Sequence, residues 1–125
     1  MNILEIAYTS YPVTDMARAR AFYEGLFGLT PAMVGGEEDH CWVEYEIQGQ
    51  VLAIANVSPD WKPSKDGACI ALEVEDFDAT MIELREKNIP VTFGPLETPV
   101  CHMVGISDPD GSQIILHKRK SFSTP

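Results

Sequence analysis

Apolar side chains occupy every second position in two short runs of the chain's second half. In the first run, Ile70, Leu72 and Val74 alternate with polar or smaller residues. A period of two predicts a β-strand with one apolar face, which is expected to pack against a helix. The second run follows the same rule with Ile114 and Leu116. The opposite face of that strand is then expected to carry Gln113, Ile115 and His117.

A spacing of three and four residues predicts helices elsewhere in the chain. The first helix is expected to begin after Asp15, whose side chain can accept hydrogen bonds from free N–H groups, and to end near Gly28. Aromatic residues at helical spacing are more often core than ligand-binding. We therefore predict a buried stripe on this helix, formed by Ala19, Phe22, Tyr23 and Leu26.

The chain contains a disguised duplication. The segment Val13-Thr14-Asp15-Met16 returns as Val74-Glu75-Asp76-Phe77, and each copy places a capping Asp directly after an apolar strand. The second helix is expected to end near Asn88, which tolerates the left-handed conformation. Each half is therefore predicted to contain a strand, a helix and three further strands. The predicted organisation is a single domain with module one at residues 2–57, a linker at 58–66, module two at 67–118 and a tail at 119–125.

Composition and charge narrow the class of protein. The 125 residues are 45% hydrophobic, which suits one compact domain. We expect no signal peptide and no membrane span, and so a cytoplasmic protein. An odd number of cysteines without CxxC spacing, namely Cys41, Cys69 and Cys101, predicts reduced thiols. The net charge of −10 disfavours nucleic acid and anionic membranes as partners and favours a neutral or cationic small molecule.

The last hairpin and the first helix together carry a family resemblance. In residues 106–116, apolar runs flank a turn that contains Pro109 and Gly111. The helix carries Arg20-Ala21-Phe22-Tyr23 and ends in Leu26-Phe27-Gly28-Leu29. In this order and separation, the motifs resemble those of the vicinal oxygen chelate superfamily, which includes glyoxalase I, bleomycin-resistance proteins, fosfomycin-resistance enzymes and extradiol dioxygenases. The resemblance implies an α+β fold of two βαβββ modules, with curled mixed sheets around a cavity and helices on the convex faces.

The resemblance also implies four positions for ligands of a divalent metal. They fall on Tyr8, Ala53, Cys69 and Ile115. Ala53 and Ile115 offer no donor atom, a phenol such as that of Tyr8 is a poor metal ligand at neutral pH, and a lone thiol does not hold a hard cation. We therefore expect no metal and no other cofactor at this place, and a ligand pocket instead.

A second set of metal ligands is also compatible with the sequence. If residues 108–111 form the last turn, His102 pairs with His117 and the two rings lie side by side on the concave face. Two imidazoles and a carboxylate could bind zinc or iron. The alternative hypothesis is therefore a metal-dependent lyase, isomerase or dioxygenase. A nucleophilic role for Cys69 beside either histidine lacks an evident orienting carboxylate.

The leading hypothesis is a small-molecule-binding protein that resembles the bleomycin-resistance branch and needs no catalytic group. After the metal-dependent enzyme, a regulatory or structural role is the third hypothesis. Aromatic side chains favour a flat or apolar ligand, and acidic ones favour a cationic group on it. Either Trp42 or its neighbour Tyr45 faces the cavity, with Trp61 folded over it, or Trp42 and Trp61 only seal a core or a subunit interface. The predicted ligand-binding residues are Tyr8, Ser10, Trp42, Glu44, Ala53, Cys69, His102, Ile115 and His117.

A homodimer is also expected. Curled sheets in an isolated chain leave long edges and apolar surface exposed, and a two-fold partner can cover both. Small members of the family that the chain resembles commonly pair in this way.

Overall fold

The computed structural model describes residues 1–121, which fall into two units of the same architecture. Unit one contains residues 1–64 and residues 108–111, and unit two contains the other described residues. Each unit has one helix and a four-stranded mixed sheet, so the predicted α+β fold of two βαβββ modules is confirmed. The elements are β1 (Thr9–Pro12), α1 (Met16–Phe27), β2 (Met33–Glu37), β3 (His40–Ile47), β4 (Gln50–Ala55), β5 (Ile70–Glu73), α2 (Phe77–Glu86), β6 (Phe93–Glu97), β7 (Cys101–Ser107) and β8 (Gln113–Arg119).

Both helices begin where the repeated motif predicts. The side chain of Asp15 accepts the backbone N–H of Arg18 at 3.0 Å, and the side chain of Asp76 accepts that of Ala79 at 3.0 Å. Each carboxylate satisfies an N–H group that has no partner within its helix. The predicted ends are also confirmed, because left-handed residues follow each helix: Gly28 with φ +66° and Asn88 with φ +54°.

In unit one the strands lie in the order β1-β4-β3-β2, with β1 parallel to β4 and the other pairs antiparallel. The buried face of α1 includes Ala19 and Tyr23, as predicted. The Tyr23 ring stacks on that of Tyr45, with 6.3 Å between the ring centroids. Tyr45 and its β3 neighbours on the same face are almost fully buried. The core of unit one therefore lies between α1 and this face of the sheet.

In unit two the order is β5-β8-β7-β6, and β5 runs parallel to β8. Phe77 of α2 stacks on the ring of His102, which identifies the sheet face that α2 covers. The same face carries the buried aliphatic residues of β7 and β8, which are Val104, Ile106, Ile114 and Leu116. The prediction that Ile114 and Leu116 lie under the second helix agrees with this arrangement.

A buried carboxylate organises the loop between β7 and β8. Asp108 is 4% exposed. Its Oδ2 accepts the hydroxyl of Tyr23 at 2.9 Å, and its Oδ1 accepts the backbone N–H of Asp110 at 2.9 Å. The N–H of Gly111 reaches the carbonyl oxygen of Asp108 at 3.0 Å. Burial, reinforced by the charge of Asp108, raises the pKa of the Tyr23 phenol, which therefore acts as a hydrogen-bond donor.

Large apolar side chains are exposed at the N-terminus and in unit two. Before β1, Ile3, Leu4 and Ile6 are mostly exposed, and in β6 Phe93 and Leu96 are more than two-fifths exposed.

Neither α1 nor α2 is long and apolar enough to cross a membrane. The tail predicted at residues 119–125 overlaps the end of β8, and its last four residues, 122–125, lie outside the described part of the chain.

We expect Tyr23→Phe to lower the free energy of unfolding by about 1–3 kcal/mol, because it removes a hydrogen bond from a buried carboxylate. The matched control is Tyr45→Phe, which removes a hydroxyl that donates to Glu24 at 2.9 Å. Glu24 keeps a bond from Arg20 and is 29% exposed, so the control is expected to cost less than about 1 kcal/mol. Urea unfolding measures both variants. Equal losses would contradict the role given to Asp108.

Candidate functional site

The distal face of unit one, which is the sheet face that points away from α1, brings together the five predicted residues of this unit. Trp42 and Glu44 alternate with the core residues of β3. In the register, Ser10 lies opposite Ala53, and Ala53 lies opposite Glu44. Because paired residues point to the same side of a sheet, all of these side chains share one face. Tyr8 precedes β1 and joins them through its ring contact with Trp42.

Trp42 and Tyr45 lie on opposite faces, which resolves the choice that the sequence left open. Tyr45 faces α1 and is buried, whereas Trp42 lies on the distal face and is half-buried. Trp61 is half-buried in the segment after β4.

The aromatic residues of this face form a cluster with one carboxylate. The rings of Tyr8 and Trp42 meet edge to face, with 5.1 Å between their centroids. The indole N–H of Trp42 donates to Oε2 of Glu44 at 2.8 Å. Tyr8 is 50% exposed. An accessible phenol ring, an indole and a carboxylate can together bind a flat molecule and a positive charge on it.

The predicted pairing of His102 with His117 is wrong. In the antiparallel ladder of β7 and β8, His102 lies opposite Lys118, and His117 lies opposite Met103. The loop extends over residues 108–112 rather than 108–111, because the carboxylate of Asp108 holds the backbone of Asp110. A shift of one residue moves a side chain to the other face. His102 therefore packs under α2 against Phe77, away from the face of His117.

The distal face of unit two, which points away from α2, carries Cys69, Ile115 and His117 but not His102. His117 and Ile115 alternate with the buried residues of β8, and Ala71 lies opposite Ile115 in β5. By the same alternation Cys69 belongs to this face. Cys69 is exposed, whereas Cys41 and Cys101 are buried.

Glu73 was not predicted from the sequence to take part in a site. It lies opposite His117 in the parallel pair of β5 and β8, and its Oε1 is 2.6 Å from Nδ1 of His117. The backbone N–H of Arg119, followed by the His117 ring, holds the pKa of Glu73 below its ordinary value. The alternation of residues 69–74, combined with parallel pairing to the last strand, could have identified this carboxylate.

The residues at the family's metal positions do not fit a divalent cation. Ala53 has a fully buried methyl side chain, and Ile115 is aliphatic, so neither supplies a donor atom. Tyr8 offers only one phenol and Cys69 only one thiol, and together they do not supply the set of oxygen ligands that a hard cation requires. No group of three or more His, Cys, Asp or Glu side chains within residues 1–121 is arranged to hold a metal ion.

A separate polar cleft of about 500 Å³ lies in unit one beside the start of α1. It has no aromatic wall, and Asp15 in it is already engaged in capping the helix. Its lining residues are Thr14, Asp15, Met16, Glu37, Glu38, Asp39 and Asn56. The cleft therefore lacks the apolar surface of a site for an aromatic molecule.

The chain is similar in sequence and in structure to known proteins. The sequence model of the Glyoxalase/Bleomycin resistance protein/Dioxygenase superfamily matches residues 5–116. Among solved structures, TnmS3, an antibiotic binding protein from Streptomyces sp. CB03234, is similar with 27% identity and a TM-score of 0.77, over 96% of this chain and 99% of that one. No curated protein sequence matches the chain.

Two further structures support the same fold. A glyoxalase/bleomycin resistance protein from Streptomyces sp. CB03234 has 28% identity and a TM-score of 0.72, over 91% of this chain and 100% of that one. A glyoxalase/dioxygenase from Nostoc punctiforme has a TM-score of 0.76 over 94% of this chain and 92% of that one. Its identity of 19% supports a likeness of fold alone.

The register of β7 and β8 can be tested with paired cysteines in a background that has Ser at positions 41, 69 and 101. Met103→Cys with His117→Cys is expected to form a disulfide on mild oxidation, because the two positions are opposed and share a face. His102→Cys with His117→Cys is expected to stay reduced, since the side chains point to opposite faces. Mass spectrometry of peptide digests reports each bond. A disulfide in the second variant and none in the first would show that His102 and His117 are opposed after all.

Proposed function

Because the chain belongs to the Glyoxalase/Bleomycin resistance protein/Dioxygenase superfamily, we propose that it binds a small organic molecule stoichiometrically and without a metal at the usual positions of that family. The similarity to an antibiotic binding protein supports a ligand of drug-like size. The donor chemistry of Tyr8, Ala53, Cys69 and Ile115 supports binding without a metal at these positions. The alternative metal site at His102 and His117 loses its support, because the two rings lie on opposite faces of the sheet.

The cluster of Tyr8, Trp42 and Glu44 is the observation that carries this proposal. Its two rings provide apolar contact area, and Glu44 places a carboxylate beside the indole. A cation next to an aromatic face gains about 0.5–2 kcal/mol, depending on how far it is desolvated. The cluster therefore favours a planar aromatic ligand that carries a positive charge, as the acidic composition also does.

Two nearly isosteric probes test this preference. We expect 1-methylquinolinium, a permanent cation, to bind roughly fivefold more tightly than neutral quinoline, which corresponds to about 1 kcal/mol. Glu44→Gln should remove most of this difference, and Tyr8→Ala should weaken both probes by roughly two- to tenfold. Quenching of tryptophan fluorescence and titration calorimetry measure the affinities. Glu38→Gln, in the exposed turn after β2, is the control for loss of one acidic charge.

Metal analysis separates this proposal from the enzymatic alternative. We expect the purified protein to contain no stoichiometric zinc, iron, nickel or manganese. A metal that is lost on Cys69→Ala or Tyr8→Phe would contradict the proposal. A metal that is lost on His102→Ala and on His117→Ala would favour the enzyme instead.

We infer, in addition, that the protein is a homodimer. The exposed apolar residues of the N-terminal segment, Ile3, Leu4 and Ile6, and those of β6 support this inference, because a two-fold partner would remove them from water. Sedimentation velocity at micromolar concentrations should give the mass of two chains. A single species of 13.8 kDa would contradict the inference.

A further inference from the structure

The register of unit two places a carboxylate and an imidazole side by side on its distal face. Glu73 of β5 lies opposite His117 of β8, with 2.6 Å between Oε1 and Nδ1. Oε2 of Glu73 accepts the backbone N–H of Arg119 at 2.6 Å. Both carboxylate oxygens are therefore held, one by the main chain and one by the imidazole ring.

These contacts determine which nitrogen of a neutral His117 ring carries the proton. With its pKa lowered by the Arg119 N–H and the imidazole, Glu73 is ionised at neutral pH and can only accept hydrogen bonds. We therefore assign the proton to Nδ1. Nε2 then keeps its lone pair, and no group within residues 1–121 hydrogen-bonds to it.

The free nitrogen lies at the margin of a small apolar surface. The side chains of His117 and Glu73 are 24% and 39% exposed, so the pair is accessible. Met103 lies opposite His117 in β7, and Ile115 and Ala71 are the next opposed pair along β8 and β5 on the same face. A single oriented polar group beside apolar side chains is the usual composition of a small-molecule site.

We propose that His117, oriented by Glu73, accepts a hydrogen bond from a weakly acidic hydroxyl group, a phenol or an enol, on an aromatic ligand whose ring lies against Ala71, Met103 and Ile115. The inference rests on the proposed small-molecule binding and adds a chemical class of ligand to it. Glu73 is a positioning residue, since it acts through the imidazole and does not contact the ligand.

The chemistry of the pair explains this selectivity. An ionised carboxylate on Nδ1 stabilises positive charge on the ring and so makes Nε2 a stronger acceptor. An acidic O–H is a strong neutral donor, and its hydrogen bond strengthens as the proton is shared. If the proton passes fully to Nε2, the ligand becomes a phenolate or enolate and the imidazolium is neutralised by Glu73. No bond other than O–H breaks.

A matched pair of neutral probes tests the inference. We expect 2-naphthol to bind roughly tenfold more tightly than 2-methoxynaphthalene, which lacks the donor, since one such hydrogen bond contributes about 1.4 kcal/mol. The ether is the more apolar compound, so burial alone would give the opposite order. His117→Phe should abolish the preference, and Glu73→Gln should reduce it several-fold. Glu97→Gln, which disrupts the exposed Lys120 pair of the same unit, should leave it unchanged.

A second measurement needs no ligand, and its first part uses only the wild-type protein. Nitrogen-15 NMR of the His117 ring in the wild-type protein should show the tautomer with the proton on Nδ1, and Glu73→Gln should convert it to a mixture. A merely structural Glu73 would leave the tautomer unchanged. A wild-type ring with its proton on Nε2 would overturn the inference.

The binding outcomes separate this inference from the proposed function. Equal affinity for the two naphthalene compounds overturns the hydroxyl anchor and leaves small-molecule binding intact. The same conclusion follows if neither compound binds while 1-methylquinolinium does. Failure of all the probes overturns both proposals.

Discussion

The buried carboxylate of Asp108 has a structural influence that extends well beyond the hairpin loop it belongs to. One oxygen accepts the hydroxyl of Tyr23 on α1, and the other holds the backbone of Asp110. A buried carboxylate needs such partners, because removal of its charge from water is costly. The loop that satisfies it extends over residues 108–112, and its length determines the register of β7 and β8. Which residues of β7 share a face with Ile115 and His117 of β8 depends on this register.

Much of the fold could be predicted because its signals are local. The starts of the two helices depend on single capping carboxylates, Asp15 and Asp76, and the ends on residues that adopt a left-handed backbone. Alternation in β5 and β8 correctly separated the more buried side chains from the distal ones. Such features depend only on the chemistry of a few neighbouring residues, so a single sequence is enough to predict them.

The candidate site was harder to predict because it depends on contacts that are distant in sequence. The composition of the hairpin loop is compatible with a turn over residues 108–111, whereas the longer loop is stabilised by the hydrogen bonds of the Asp108 carboxylate with Tyr23 and Asp110. The error paired His102 with His117 and concealed Glu73, which lies 2.6 Å from the imidazole. Likewise, alternation in β3 placed Trp42 and Tyr45 on opposite faces but did not indicate which face α1 covers.

The two duplicated units present different chemistry on equivalent faces. In unit one an indole donates to a carboxylate, and in unit two a carboxylate holds an imidazole. The shared backbone keeps each pair at a fixed position in its sheet, while the side chains are free to differ. A duplication of this kind retains one scaffold while each unit presents its own pair of polar side chains.

The three thiols differ in a way that is useful for chemical labelling. Cys41 and Cys101 are buried in the sheets, whereas Cys69 is exposed and belongs by alternation to the same face as His117. A maleimide dye should therefore modify Cys69 selectively in the folded protein, without removal of the other cysteines. An environment-sensitive fluorophore at this position would convert the natural chain into an optical reporter of what approaches that face.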